Sequence, residues 1–293
     1  MTLLKEKNYG TPKIESKNNV TGFIDGIEVS VPEGTSIMRA ASTIGIDVPS
    51  LCASDNLDAF GSCRLCIVDF EGRKGFGYPS ACTSPLDNGM KVITRNNHLD
   101  ALRKDLLEMY TSDHPLDCNT CSSDGDCDLQ VEANNHQLLE NNQLVPSKYS
   151  DANSSNHLGI DIDSSNPYFN FDPEKCIVCS RCVRACNEVQ GTFALSLDDR
   201  GFESKITTDN DMMFGDSSCV SCGACAHTCP TDAISDVFQS KSAAVDKKVR
   251  TTCSYCGVGC NLEASIKDDK VVAIDTPKQT EVNAGHTCIK GRY

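Results

Sequence analysis

The chain has 293 residues, 39% of them hydrophobic, only 6% aromatic and none Trp, with a formal net charge of -14. That favours several small cores over one large one and disfavours nucleic acid and anionic membrane surfaces, whose phosphates the acidic chain would repel. No apolar run is long enough to span a bilayer, and the N-terminus lacks a signal peptide or twin arginine, so a cytoplasmic location with reduced thiols is expected.

Residues 1–19 are polar and aperiodic and read as a disordered tail. "VTGFIDGIEVSV" predicts two short strands around an Asp25-Gly26 turn. "TSIMRAASTIG" places Ile37, Ala40, Ala41 and Ile44 on one helical face, with Thr35 or Ser36 to cap it and Gly45 to close it. "CRLCIVDF" and "MKVITRN" add strand-like runs, which makes residues 20–97 a small α+β domain. "NHLDALRKDLLEMY" sets Leu99, Leu102, Leu106 and Tyr110 at helical spacing and opens a unit over 98–140. Residues 141–167, rich in Asn, Ser and Asp, read as a linker. A cysteine-rich block covers 168–238, a second connector 239–250, and a last block 251–293, where "NLEASIKDDKVVAIDT" predicts two strands around Asp268-Asp269.

Nineteen cysteines is an odd number, so a disulfide scheme leaves one unpaired, and metal ligation is the better reading. Cys52, Cys63, Cys66 and Cys82 form three clustered cysteines plus one distant one, a [2Fe-2S] pattern, with structural zinc as the alternative. "HPLDCNTCSSDGDC" offers His114, Cys118, Cys121 and Cys127. One His with three Cys also suits zinc, and its position between cluster motifs favours iron–sulfur. "CIVCSRCVRAC" (Cys176, Cys179, Cys182, Cys186) and "CVSCGACAHTCP" (Cys219, Cys222, Cys225, Cys229) both read C-x2-C-x2-C-x3-C. In that two-cluster pattern the fourth cysteine of each run serves the other cluster. Cys176, Cys179, Cys182 and Cys229 are therefore expected to hold one [4Fe-4S] cluster, and Cys219, Cys222, Cys225 and Cys186 the other. "CSYCGVGC" (Cys253, Cys256, Cys260), closed by Cys288, suits a further [4Fe-4S] cluster with zinc as runner-up. Gly257 and Gly259 would let its backbone fold closely. All nineteen thiols are thereby used, with His114 as the twentieth ligand, for one [2Fe-2S] and four [4Fe-4S] clusters, about 18 irons.

Several redox centres without a nucleophile, general base or phosphate loop describe an electron conduit. Lys175, Arg64, Arg181 and Arg184 flank ligands and could favour reduced clusters, although ordinary solvated charge is the preferred reading of each. His227 and His286 read as bystanders, and the acidic surface suits a basic patch on a partner.

The motif order, with "TSDHPLDCNTC", "NPYFNFDPEKCIVCSRCVRAC", "CVSCGACAHTCP" and "TTCSYCGVGC…CIKGR", resembles the N-terminal iron–sulfur region of the catalytic (alpha) subunit of cytosolic NAD-dependent formate dehydrogenases. The resemblance covers nearly the whole chain from Val20. It implies an α+β, multi-domain architecture: a β-grasp [2Fe-2S] ferredoxin-like domain, a small helical [4Fe-4S] domain with one His and three Cys ligands, a two-cluster bacterial ferredoxin domain, and the start of a molybdopterin-oxidoreductase [4Fe-4S] domain. It further implies that Cys253, Cys256, Cys260 and Cys288 hold the cluster nearest a molybdenum or tungsten bis-pterin guanine dinucleotide, with Lys290 between the two. A flavin-containing subunit that reduces NAD is the implied partner. Since the pterin domain would follow Tyr293, the chain is expected to be a piece of a longer protein or one part of a split enzyme, without catalytic residues of its own.

Two other families are similar. The complex I large iron–sulfur subunit shares the first two groups and the last but typically lacks the complete second ferredoxin motif. Iron-only hydrogenases and hydrogenase diaphorase subunits share the first four groups and lack "CSYCGVGC…CIKG". An electron-transfer subunit of a hydrogenase or a complex I-like NADH dehydrogenase is thus the alternative. A zinc-stapled scaffold is the non-redox one.

Overall fold

The computed structural model describes residues 7–72, 77–150, 159–238, 245–278 and 280–293. Strands β1 (Asn19–Ile24) and β2 (Ile27–Pro32) form the expected hairpin. Asp25 and Gly26 at its tip both have positive φ, 49° and 81°. The Asp25 carboxylate accepts the Thr94 amide at 2.7 Å and thereby ties the tip to the end of β4 (Lys91–Ile93). Helix α1 (Ile37–Thr43) starts on Ser36, whose hydroxyl accepts the Arg39 amide at 3.1 Å, and stops before Gly45 at φ +84°. β4 runs parallel to β1 and antiparallel to β3 (Asp69–Phe70), for a sheet order β2-β1-β4-β3. The strand expected from "CRLCIVDF" contracts to two residues because its front is a cysteine loop, with Arg64 turned to φ +58°.

The expectation of a disordered tail is corrected for residues 7–19. Thr11 is buried, with its hydroxyl 2.7 Å from that of Ser36, and Arg39 donates to the Thr11 carbonyl and stacks 4.8 Å from the Tyr9 ring centroid. Gly10, at φ +81°, lies so close over Met38 that a β-carbon there would fall 2.2 Å from the sulfur. An arm held by such contacts has no periodicity for the sequence to display. Residues 1–6 lie outside the described residues.

Helix α2 (Asn97–Thr111) is capped by the Asn96 side chain, which accepts the Leu99 amide at 2.8 Å. Its buried row is Leu99, Arg103, Leu107 and Thr111, whereas Leu102, Leu106 and Tyr110 are half-buried beside it. Arg103, 1% exposed, donates to the carbonyls of Leu65 (3.2 Å), Ile67 (2.7 Å) and Thr94 (2.7 Å), so it staples α2 to the first domain. After α3 (Asp128–Asn135), β5 (Leu139–Glu140) and β6 (Gln143–Leu144) form a hairpin whose turn residues, Asn141 and Asn142, have φ of 49° and 63°. The start of the expected 141–167 linker is therefore structured, down to a buried Ser147 that donates to the Glu108 carbonyl at 2.6 Å. Residues 151–158 are outside the described set.

β7 (Phe169–Phe171) pairs with β10 (Ile234–Asp236), and between them come α4 (Arg181–Arg184), a π-turn over Ala185–Gln190, the hairpin β8 (Leu195–Asp198)–β9 (Lys205–Thr208), and α5 (Ala224–Thr228). Phe169 and Phe171 pack edge-on against Phe214, at 5.2 and 5.9 Å. The last block is an antiparallel sheet of β11 (Lys247–Thr252), β12 (Asn261–Lys267) and β13 (Lys270–Asp275), followed by α6 (Ile289–Arg292). β11 begins inside the expected 239–250 connector, of which residues 239–244 are not described. The β12–β13 turn falls on Asp268-Asp269 as expected, with φ of 49° and 56°. α6 docks on the preceding block: the buried Arg292–Asp236 pair closes at 2.5 Å, and Tyr293 stacks on Tyr168 at 4.7 Å.

Removing the Arg103 fork would leave three carbonyls without a donor in a dry interface. Arg103→Ala should lower unfolding free energy by about 3–5 kcal/mol, read as a lower guanidinium midpoint. Arg103→Lys should fall between the two.

Candidate metal centres

The nineteen cysteines are all free thiols. Cys52, Cys63, Cys66 and Cys82 are all buried, on the loops around β3 and at the end of the segment that packs on α1. The Cys66 and Cys82 sulfurs lie 3.4 Å apart, and the Cys63 amide approaches the Cys52 sulfur at 3.5 Å. Hydrogen bonds from Cys63 and Cys82 favour the thiolate at Cys52, and the bond to that thiolate, then burial, hold Cys63 protonated. The sequence group is thus gathered into one knot.

In the second group Cys118 is buried, and Cys121 and Cys127 are half-buried. Burial pushes the Cys127 thiol up to about 12 and pulls the His114 imidazole down to about 4. His114 is therefore neutral, and its Nδ1 is buried without a hydrogen-bond partner. A neutral imidazole with a buried, unpartnered nitrogen has the chemistry of a metal ligand.

The twin motif shows the clearest geometry. One small cavity is lined by Cys176, Cys179, Cys182 and Cys229, with Phe171, Ile206 and Ile234. A second is lined by Cys186, Cys219, Cys222 and Cys225, with Phe169, Leu195 and Phe214. The eight cysteines are divided crosswise between them. Both loops use the same backbone: Val178 and Ser180 have φ of 50° and 60°, and the equivalent Ser221 and Gly223 have 54° and 76°. A β-branched Val in the left-handed region is strained by about 1–3 kcal/mol. The gain is a pair of matched amide-to-sulfur bonds, Val178 to Cys176 and Ser221 to Cys219, each 3.4 Å.

The fifth group is open to the surface. The Cys253 amide donates to the Cys260 carbonyl at 2.8 Å, while Cys256 and Cys288 are exposed beside an exposed Tyr255 and Val258. Burial, then the charges of Cys253, Cys256 and Cys288, push the Cys260 thiol up. Gly259 takes φ +67°, whereas Gly257 keeps a negative φ and has open space beside it. Lys290 is exposed, two residues beyond Cys288.

The chemistry of these sets limits what they can hold. Burial raises the thiols of Cys176 and Cys179, the latter to about 11, and drives those of Cys182 and Cys225 well above the ordinary value. Four thiolates cannot coexist in an apolar cavity unless positive charge lies between them. Sulfurs spaced around a cavity fit a polynuclear iron–sulfur body.

The flanking charges depart from the expected solvated state. Arg181 and Arg184 are each 7% exposed and donate into other domains, Arg181 to Ala53 and Asp128, Arg184 to the carbonyls of Asp58 and Cys52, while Arg181 also donates to the Thr228 carbonyl of its own block. Lys175 lies 3.8 Å from Asp172 and 3.7 Å from Asp232. Arg64 alone is solvated, donating to the Tyr78 carbonyl at 3.1 Å. His227 pairs with Asp275 at 3.5 Å, and burial holds the His286 imidazole down at about 4. Local sequence could not reveal the buried arginines, because their acceptors lie up to 132 residues away.

Four family descriptions match consecutive stretches: a 2Fe-2S iron-sulfur cluster binding domain (17–97), an NADH-ubiquinone oxidoreductase-G iron-sulfur binding region (103–141), a 4Fe-4S dicluster domain (175–233) and a molybdopterin oxidoreductase Fe4S4 domain (246–293). A Staphylococcus haemolyticus protein named "Putative formate dehydrogenase" is 27% identical over 92% of this chain and 30% of its own length. The NADP-reducing hydrogenase subunit HndD of Solidesulfovibrio fructosivorans is 39% identical over 73% of this chain and 36% of its own. The chain thus spans about a third of the curated relatives it matches. A chain of an NAD+-reducing [NiFe]-hydrogenase crystal structure in the H2-reduced state superposes with TM-score 0.65 at 27% identity, over 78% of this chain and 92% of that one. Among the described residues no helix is long and apolar enough to cross a membrane. The chain is a multi-cluster iron–sulfur electron-transfer module, similar to proteins named formate dehydrogenase and to hydrogenase chains, with a region matching the NADH-ubiquinone oxidoreductase-G iron-sulfur binding region.

Proposed function

We propose that this chain is the electron relay of an NAD-linked formate dehydrogenase, running between a molybdenum or tungsten bis-pterin site outside the chain and a flavin-bearing subunit that reduces NAD. The observation that carries the reading is the molybdopterin oxidoreductase Fe4S4 domain at 246–293, whose cysteine set opens to the surface through Cys256 and Cys288. An exposed set with Lys290 nearby is the arrangement expected where a further redox domain covers it. In this reading Cys52, Cys63, Cys66 and Cys82 hold a [2Fe-2S] cluster in a β-grasp domain, and His114 with Cys118, Cys121 and Cys127 hold a [4Fe-4S] cluster. The two cavities of the twin motif hold one [4Fe-4S] cluster each, and Cys253, Cys256, Cys260 and Cys288 hold the last. Bound there, such clusters would supply one-electron transfer. The chain's own part is to exclude water, fix the spacing and set the surrounding charge.

A second reading, a relay within a hydrogenase, draws on the 39% identity to HndD and the hydrogenase-like fold. The intact complex from cells separates the two. Under anaerobic conditions formate should bleach its visible absorption and hydrogen should not. Bleaching by hydrogen alone would reverse the assignment.

Ligand assignment is tested on the chain itself. Cys229→Ala should remove the cluster of Cys176, Cys179 and Cys182, a loss of about four irons, and leave the Cys186–Cys219–Cys222–Cys225 signal in the EPR spectrum. Loss of the other signal would mean that each motif binds its own cluster. His114→Cys replaces a neutral ligand by a thiolate, so the potential of that one centre should fall in an EPR-monitored titration.

A further inference from the structure

Arg181 precedes Cys182 on α4 and is 7% exposed. Its Nη1 donates to Asp128 Oδ2 at 3.0 Å and to the Thr228 carbonyl at 3.3 Å, and its Nη2 to the Ala53 carbonyl at 2.8 Å. Each acceptor adjoins a cysteine of a different set in the chain. Ala53 follows Cys52, Asp128 follows Cys127, and Thr228 precedes Cys229. Three of the five sets therefore meet on one guanidinium.

The surrounding contacts reinforce this junction. The Ser62 hydroxyl, beside Cys63, donates to the Cys179 carbonyl at 3.0 Å, and the Asp128 amide donates to the Pro230 carbonyl at 2.8 Å. Arg184 lacks the three-way character, since both its acceptors, Cys52 and Asp58, belong to the first domain. The one carboxylate partner of Arg181, Asp128, is 43% exposed, so water screens the carboxylate more than the buried guanidinium. A planar fork with fixed donors can hold two backbone carbonyls and a carboxylate at once, which a flexible ammonium cannot.

We propose that Arg181 is a shared positioning residue for three centres, those of Cys52–Cys63–Cys66–Cys82, of His114–Cys118–Cys121–Cys127, and of Cys176–Cys179–Cys182–Cys229. It fixes their separation, and its charge stabilises the reduced, more negative state of each. This rests on the reading that these sets hold iron–sulfur clusters. None of its three acceptors adjoins a cysteine of the Cys186–Cys219–Cys222–Cys225 or the Cys253–Cys256–Cys260–Cys288 set.

The test is an EPR-monitored redox titration of the full chain, prepared anaerobically with its clusters, together with iron analysis, for wild type, Arg181→Gln, Arg181→Lys and Asp128→Asn. Arg181→Gln should shift the three junction potentials downward together and leave the other two unmoved. Arg181→Lys, which keeps the charge, should restore most of the shift. Asp128→Asn, which removes the nearest negative charge, should shift the same potentials upward. Equal shifts in the Gln and Lys variants, or unmoved junction potentials, would overturn the proposal while leaving the cluster assignment intact. Should Arg181→Gln lose iron, Asp128→Asn decides: an upward shift supports the proposal, and no shift or a downward one overturns it. Wild-type chain without cluster signals would overturn both this proposal and the function it rests on.

Discussion

The fold depends on thiols buried in apolar surroundings. Cys52, Cys63, Cys118 and Cys179 sit in one core with Leu51, Leu65, Leu107 and Leu129, and Cys182 and Cys225 share another with Phe169, Phe171 and Phe214. Cysteine is a good small hydrophobe when protonated and a costly buried anion when not. Small cores of this kind do not carry a domain by apolar burial alone. Metal binding by the thiolates would couple assembly of each core to assembly of its centre, with protons released as the metal enters.

The buried arginines connect the separate cores. Arg103 joins α2 to the loop that carries Cys66, Arg184 joins α4 to the carbonyl of Cys52, and Arg292 joins the last helix to Asp236. Each places a fixed cation near sulfur rather than in solvent. Polar staples of this type specify geometry more than they add stability, and an electron relay needs geometry above all. Sets one, two and three crowd around α4. The fourth shares its motif with the third, and the fifth reaches the fourth through Arg292 and Tyr293, which pack against Gly223 beside Cys222. The layout is a junction with one arm leading outward.

Much of this was legible in the sequence because the signals are local. The Asp25-Gly26 hairpin, the Ser36-capped helix and the Asp268-Asp269 turn each rest on residues within a few positions. The spacing of the twin motif carries the expectation of a crosswise division, and the lining of the two cavities groups the eight cysteines in that way. What escaped depends on long-range contact. The arm at residues 7–19 is ordered by Ser36, Met38 and Arg39, and the central row of α2 includes Arg103, which a hydrophobic periodicity passes over. Arg181 and Arg184 look like solvated charge until domains more than a hundred residues apart close over them.

The most direct measurement is the iron and acid-labile sulfide content of the anaerobically purified chain. One two-iron and four four-iron centres predict about 18 irons and about 18 sulfides per chain, in a brown protein that bleaches on reduction. A colourless protein with about five zinc ions and no sulfide would contradict the account, and leave the same cysteines as structural staples.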